Sequence, residues 1–245
     1  MAQPGNIPNS MKRLQFHVGT SGFSYKEWKG SFYPQKLPAD QMLRIYAERF
    51  ATVEMNSTFR RMPKPAVIKA WAAEVSPEFK FVIKAPQRIT HFRRLKDCQE
   101  PVKELLDGAK LLKKHLGPLL FQLPANFKKD AARLRDFLKL VPKRQRVAFE
   151  FRNATWFDEE VFDMLRKRNV ALCIAESDET VQTPFMATAD WGYIRLRLPQ
   201  YSDADFKSWI KRIRRQKWEE AFVFFKHEDE GKGPRFAKRF LELAG

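Results

Sequence analysis

Hydrophobic positions along the chain follow two alternating periods. Short apolar runs of the kind a buried strand requires begin near Phe16, Thr52, Phe79, Leu119, Arg146, Val170, Trp191 and Ala221. Between most of them apolar residues recur at three- and four-residue spacing, the mark of an amphipathic helix. Residues 41–49 present Met42, Ile45 and Tyr46, with Phe50 next on the same stripe. Residues 65–75 open on a proline suited to a first helical turn and carry Val67, Ile68, Trp71 and Ala72. Residues 101–116 repeat that device with Val102, Leu105, Leu106, Ala109 and Leu112, and Gly117-Pro118 is expected to stop the helix. Residues 131–140, 159–168, 203–217 and 234–243 complete the set. The last but one opens with a capping-box pattern from Ser202 to Asp205. Only the connection 174–190 lacks a helical pattern.

Eight strands alternating with about seven helices predict a parallel sheet with crossover helices. An open doubly wound sheet and a closed barrel both satisfy that alternation. The count of eight and the length of 245 residues favour a single (β/α)8 TIM-type barrel, whose usual size is about 250 residues, with an irregular connection between strands 6 and 7. The expected division is a flexible tail over 1–13, rich in Pro, Gly and Asn, and a barrel domain over 14–245.

The strands end unusually. Thr52-Val-Glu-Met-Asn-Ser-Thr58, Phe79-Lys-Phe-Val-Ile-Lys84, Leu119-Leu-Phe-Gln122, Val147-Ala-Phe-Glu-Phe-Arg152 and Tyr193-Ile-Arg-Leu-Arg197 each pass from apolar to polar residues at the downstream end. Strand side chains alternate between faces, so Glu54 shares a face with Asn56, Glu150 with Arg152, and Arg195 with Arg197. A strand buried in a parallel sheet should be apolar throughout. Polar groups gathered at the carboxyl ends, where ligands bind in either architecture, mark one common site.

Composition sharpens the character of that site. The formal charge is +17 and the isoelectric point lies near 10.0. Such a field concentrates polyanions, either nucleic acid or phosphorylated small molecules; the same excess also serves plain solubility. No stretch of eighteen apolar residues suggests a membrane span, and the opening residues lack the pattern of a secretory signal. Two cysteines, Cys98 and Cys173, are too few for a disulfide framework or a thiolate zinc site, which fits a reduced, cytoplasmic setting.

Individual motifs admit two readings each. Gly19-Thr-Ser-Gly-Phe-Ser-Tyr-Lys-Glu-Trp28 follows the first strand with glycines and hydroxyls, Ser21 among them, that suit an anion cradle or a tight turn. Glu54 and Glu150 inside a barrel mouth are costly unless paired or used chemically. They read as braces paired to Arg195 and Arg152, or as general acid and base, a role that needs their carboxyls about 5 to 9 Å apart. Lys84 is a base or nucleophile if its pKa is lowered, or an anion clamp beside Arg88, Arg152, Arg195 and Arg197. His91, in the following loop, is the first candidate for proton transfer. Gln122 and Asn56 suit recognition of a sugar, base or amide. Trp28, Tyr33, Phe59, Phe92, Phe127 and Trp156 lie in the same set of loops, where they stack on a ligand ring or cap the core. Asp178 and Lys226 close the candidate binding set. No metal-ligand spacing stands out, although Glu176 to Asp178 and His227 to Asp229 supply oxygen ligands. The basic face of 203–217, carrying Lys207, Lys211, Arg214, Arg215 and Lys217, is a solvated surface or a nucleic-acid patch.

In order, Val-Glu-x-Asn-Ser-Thr-Phe (53–59), Phe-x-Phe-x-x-Lys-x-Pro (79–86) with Ile-Thr-His (89–91), Phe-Gln-Leu-Pro (121–124), Glu-Phe-Arg (150–152) with Trp156, and Tyr-Ile-Arg-Leu (193–196) resemble the YecE-like family, domain of unknown function 72. The resemblance runs from about Val18 to the end of the chain. It implies a TIM-type barrel and no established activity; likeness of that barrel to endonuclease IV-type folds suggests nucleic-acid binding or processing. Two departures stand out. The family pattern has a histidine and glycine where this chain has Arg197 and Leu198, and an asparagine pair where it has Lys226 and His227.

The resulting expectation is a barrel enzyme acting on a phosphate-bearing substrate, with a hydrolase of phosphate esters or nucleic acid as the reaction class considered. Lys84, Arg152, Arg195 and Arg197 would bind the anion, Glu54 and Glu150 supply acid, base or orienting carboxylates, and His91 assist. No cofactor is expected, and the partner is an anionic small molecule or nucleic acid. The rival readings are a non-catalytic nucleic-acid binder using the basic surface and a sugar-processing enzyme.

Overall fold

Every strand among the described residues runs parallel to its neighbours. The computed structural model describes residues 14–176, 181–226 and 229–245, and the expected tail over 1–13 lies outside them. The strands are β1 (Gln15–Thr20), β2 (Thr52–Met55), β3 (Lys80–Lys84), β4 (Leu116–Gln122), β5 (Val147–Glu150), β6 (Ala171–Glu176), β7 (Trp191–Leu196) and β8 (Glu220–Phe225). Their ladder order is β1-β8-β7-β6-β5-β4-β3-β2. The ends of that ladder meet at a parallel bridge between Ser21 and Glu54, which makes the sheet a (β/α)8 barrel. Helices α1 (Met42–Ala47), α2 (Pro65–Ala73), α3 (Gln99–Lys110), α4 (Ala131–Leu140), α5 (Glu159–Arg166) and α6 (Asp203–Arg214) lie in crossovers, and α7 (Lys232–Ala244) follows β8. Between β6 and β7 the described residues 181–190 carry no helix, as their pattern implies.

Local signals decide several boundaries. Pro65 occupies the first turn of α2, where its missing N–H costs nothing. Ser202 and Asp205 form the reciprocal capping box that starts α6. The expected stop at Gly117-Pro118 is corrected. Helix α3 ends at Lys110, a short 3-10 turn over Lys113–His115 follows with Lys113 at φ 51°, and Gly117 and Pro118 lie inside β4. A register shift between Phe81 and Ile83 of β3 gives β4 an extra residue there. Such an irregularity tolerates a proline because no regular ladder bond needs its N–H.

The seam between β1 and β2 has little ladder of its own, and a side chain bridges it. Gly22 N–H donates to the Glu54 carbonyl at 2.8 Å. Below that bond the buried Tyr46 hydroxyl accepts from Thr20 N–H at 2.9 Å and donates to the Thr52 carbonyl at 3.0 Å. Gly19 permits the approach: a Cβ there would lie 2.1 Å from the Thr52 carbonyl oxygen.

Inside the barrel, Val82, Leu120, Ala148, Ala171, Cys173, Trp191, Tyr193, Phe222 and Phe224 form an apolar layer separate from the larger core beneath the helices. The lower end is closed by ions. Arg146 donates two hydrogen bonds to Glu220, at 2.8 and 2.9 Å, and His17 Nε2 lies 2.9 Å from the same carboxylate while its ring stacks on Phe222. Hydrogen bonding from His17 comes first, burial opposes it, and Arg146 adds to it; the balance lowers the Glu220 pKa to about 2.

Tyr46→Phe is expected to lower unfolding stability by about 1–3 kcal/mol, because two backbone groups at the seam lose their partner. Gly19→Ala is expected to cost at least as much through overpacking. Urea unfolding followed by circular dichroism measures both.

Candidate functional site

The upper end of the barrel receives the inward-facing residue from successive strand ends. On β2 this is Glu54, on β3 Lys84, on β4 Gln122, on β5 Glu150 and on β7 Arg195, the last four each two positions beyond a residue of the interior apolar layer. All five are buried; both glutamates have no exposed surface and Arg195 has 1%.

Arg195 sits between the two carboxylates. Its Nη2 donates to Glu54 Oε1 at 2.8 Å and its Nη1 to Glu150 Oε2 at 2.5 Å. The other Glu54 oxygen accepts from the Tyr193 hydroxyl at 2.5 Å. The other Glu150 oxygen accepts from Gln122 Nε2 at 2.8 Å, Arg152 Nε at 3.0 Å and Arg197 Nη2 at 3.2 Å. Burial by itself would raise the Glu150 pKa. Arg195, Arg197 and Arg152, with the Gln122 donor, outweigh that and hold the carboxyl well below the usual range. Burial and then Glu54 keep the Tyr193 hydroxyl protonated far above the ordinary phenol value, so it remains a donor. Glu150 is therefore a fixed anion at neutral pH, and both glutamates brace arginines.

Lys84 completes the floor on the β3 side. Its ammonium lies 4.3 Å from the centre of the Phe59 ring, in a cation–π arrangement. Burial, and next the charge of Arg195, lower its pKa to about 8 against the opposing pull of Glu54 and Glu150. His91 packs edge-on against the same Phe59 ring at 5.0 Å, and its Nδ1 lies 2.9 Å from the Thr90 hydroxyl. Partial burial, then Lys84, Arg152 and Arg94, lower the His91 pKa, which makes it a neutral imidazole at pH 7.

The loop that carries His91 is unusual. A single π-helical turn spans Arg88–Phe92, and Arg94, Leu95 and Asp97 take left-handed φ values of 47°, 67° and 50°. Such conformations persist only where packing imposes them. Here Leu95 is buried and its N–H bonds the Ile89 carbonyl at 3.0 Å.

Several expected roles are corrected. Trp28 is not a stacking platform: it is 1% exposed and packs against Tyr25, Phe32 and Tyr33. Trp156 is fully buried, stacked on Phe151 and hydrogen-bonded to the Phe127 carbonyl at 2.6 Å. Both cap the core. The loop after β1 is a closure turn, since the amides of Ser21 and Gly22 donate to Phe225 and Glu54 carbonyls at 2.9 and 2.8 Å. Gln122 spends a donor on Glu150. Lys226 is exposed beyond β8, and Asp178 lies outside the described residues, as do His227 and the Glu228 between it and Asp229. Among the described residues no three His, Cys, Asp or Glu side chains are grouped to hold a metal ion. No helix among them is long and apolar enough to cross a membrane. Tyr193, which reads in the sequence as an ordinary strand aromatic, is a member of the network that residue patterning missed; its inward parity with Arg195 was the available signal.

The family model for "Protein of unknown function DUF72" matches residues 17–245. The chain belongs to the DUF72 family. Curated relatives include the UPF0759 protein YecE of Escherichia coli K12, 33% identical over 116 residues, which are 47% of this chain and 43% of that protein. The match thus spans less than half of that relative. The UPF0759 protein YunF of Bacillus subtilis is 23% identical over 93% of this chain and 94% of its own length. Among solved structures, a DUF72 family protein from Thermotoga maritima superposes with a TM-score of 0.83 at 25% identity, covering 94% of this chain and 98% of that one. A DUF72 family protein from Enterococcus faecalis gives 0.78 at 17% identity, over 94% and 95%, and shares the fold. The resemblance read from the strand-end motifs and the barrel that it implied both hold.

Glu150→Gln in this DUF72 barrel leaves buried arginines without their anion and is expected to destabilise by about 3–5 kcal/mol. A carboxyl with a depressed pKa contributes stability above its unfolded value and loses it as pH falls through the folded one. The gap between wild type and variant should therefore close only as pH drops below about 4.5. Lys84 works in the opposite sense. Between pH 8 and 10.5 the unfolded chain holds the extra proton, so wild-type stability rises with pH relative to Lys84→Met. Chemical denaturation across pH checks both signs.

Proposed function

We propose that the barrel mouth binds a phosphate-bearing small molecule and that the chain acts on it as an enzyme. The observation that supports this is the charge balance at the strand ends. Lys84, Arg152, Arg195 and Arg197 contribute four cations, Glu54 and Glu150 two anions, and His91 is neutral at pH 7. A surplus of two positive charges in a desolvated site matches a phosphate dianion.

Unspent polar atoms add to the case. Arg197 Nε, Ser21 Oγ and Asn56 Oδ1 are buried without a hydrogen-bond partner among the described residues. Leaving such groups unpaired costs about 1–3 kcal/mol each, which a ligand at the mouth would recover. In this reading Arg152 and Arg197 hold the phosphate, while Glu54 and Glu150 fix the arginines. His91, neutral and half-buried, is the general base or acid. The sugar-processing reading loses its platforms, because Trp28 and Trp156 are inside the core.

Phe92 favours a second reading, in which the phosphate belongs to a nucleotide or a nucleic-acid end. It is 73% exposed, and Arg88, Arg93 and Arg94 flank it in sequence. An exposed aromatic among cations suits stacking on a base. On α6, by contrast, Arg214 of the basic face binds the Ala244 carbonyl, and the neighbouring Arg212 lies over Phe185 and Trp209.

Titration with inorganic phosphate, followed by thermal shift and by phosphorus NMR, should show saturable binding that Arg152→Gln weakens about ten-fold, as for loss of one charge-assisted contact. Oligonucleotide binding with a steep salt slope, unchanged in Arg152→Gln and reduced in Phe92→Ala, would favour the nucleic-acid reading. Absence of phosphate binding in the folded protein would overturn the proposal.

A further inference from the structure

Lys84 is the ionisable side chain of the buried mouth whose charged end makes no hydrogen bond or ion pair with the described residues. Each of Glu54, Glu150, Arg152, Arg195 and Arg197 is tied into the network by at least one such bond. The Lys84 amine instead rests on the Phe59 ring, at 9% residue exposure, and its own carbonyl is held by the Thr58 hydroxyl at 2.7 Å. A lysine that serves as a point-charge clamp reaches out on a flexible, hydrated stem. This one is fixed at a strand end, largely dry, and crowded by a buried arginine. Desolvation and a neighbouring cation are the two conditions that turn a lysine amine into a nucleophile.

We propose that Lys84 Nζ attacks the carbonyl carbon of a phosphate-bearing aldehyde or ketone, such as an aldose or ketose phosphate, and forms an imine. The proposal rests on the anion-binding reading of the mouth, with Arg152 and Arg197 holding the phosphate. In the first step the neutral amine donates its lone pair to the carbonyl carbon. The π electrons move to oxygen, and proton transfer from nitrogen to oxygen gives a carbinolamine. In the second step the C–O bond breaks, the oxygen leaves as water with the proton that the Lys84 ammonium gave up to become the neutral amine, and the nitrogen lone pair closes the C=N bond as a protonated imine. No oxidant or reductant is consumed, and the cation on Lys84 is retained, so the charge balance of the mouth is unchanged.

The neighbours suit both steps. His91 shares the Phe59 ring with Lys84, and its Nδ1 is engaged by Thr90, so Nε2 is the nitrogen left to carry protons to and from the carbinolamine oxygen. Glu54 and Glu150 are spent on Arg195, and their carboxylates supply negative charge to the mouth that would hold the protonated imine. An imine withdraws electrons from the adjacent carbon. The reaction class this equips is proton abstraction or carbon–carbon bond cleavage next to the former carbonyl.

The test traps the imine by reduction. The full chain is incubated with glyceraldehyde 3-phosphate or with glyceraldehyde in the presence of cyanoborohydride, and adducts are read by intact mass and peptide mapping. One adduct at Lys84 is expected, forming about ten-fold faster with the phosphorylated aldehyde, the margin of one charge-assisted phosphate contact. The rate should rise toward pH 8, and inorganic phosphate should slow it. Lys84→Arg should lose that adduct yet keep phosphate binding in the thermal-shift assay, which also shows that it folds. Labelling confined to exposed lysines, or unchanged in Lys84→Arg, would overturn the imine while leaving phosphate binding standing. Equal trapping of both aldehydes at Lys84, with no effect of phosphate, would instead overturn the anion site and with it the phosphate-bearing substrate class.

Discussion

A guanidinium buried between two carboxylates governs the upper half of this barrel. Arg195 of β7 reaches Glu54 on β2 and Glu150 on β5, strands that are not its ladder neighbours. Taking three ions out of water is expensive, and their mutual attraction repays it only when hydrogen bonds satisfy the remaining lone pairs. Tyr193 does this for Glu54; Gln122, Arg152 and Arg197 do it for Glu150. The geometry that results has a mechanical consequence. Strand β2 stands at the end of the ladder and meets β1 through one bridge and the Tyr46 hydroxyl. The Glu54–Arg195 bond ties that strand across the barrel interior to β7, so the weakest-laddered part of the wall is held by charge.

The same arginine sets the chemistry of its surroundings. By consuming both glutamates it removes them from acid–base work and leaves the cations of the mouth in excess. Its charge, added to burial, is what holds Lys84 at a basicity near neutral, and Lys84 in turn depresses His91. Structural stability and reactivity are thus coupled through one side chain. A substitution at Arg195 would not report on the proposed chemistry alone, whereas changes at Lys84 or His91 leave the cross-brace in place.

The parts of this arrangement that depend on local pattern were legible in the residues. Helical spacing located the crossovers, and period-two alternation brought Glu54, Glu150 and Arg195 to one interior because strand parity survives any detail of packing. What depends on distant parts of the chain was not legible. The Glu54–Arg195 and Glu150–Arg152 pairs were among the readings the residues offered, but that Arg195 also takes Glu150 is decided by barrel closure, across a separation of 45 residues. Gly117 and Pro118 carry a stop signal that a bulge in β4 overrides. Trp28 and Trp156 show the same limit from the other side: an aromatic in a loop above a strand looks alike whether it roofs the core or faces a ligand, and only packing against Tyr33 or Phe151 separates the two.

Clustered charge alone does not say where a barrel works, because this one has it at both ends. At the lower end Arg146 and His17 converge on Glu220, a carboxylate that takes both of them as partners. That cluster is a plug, seated under the apolar layer of Trp191 and Phe222, in the position where barrels invest in stability. At the upper end the carboxylates are as well bonded, yet cations outnumber them and one amine is left over. The distinction between plug and site lies in that imbalance. In the proposed reading, a positive excess inside a low-dielectric mouth, on a chain whose formal charge is +17, would draw an anion inward and strengthen every contact it makes there.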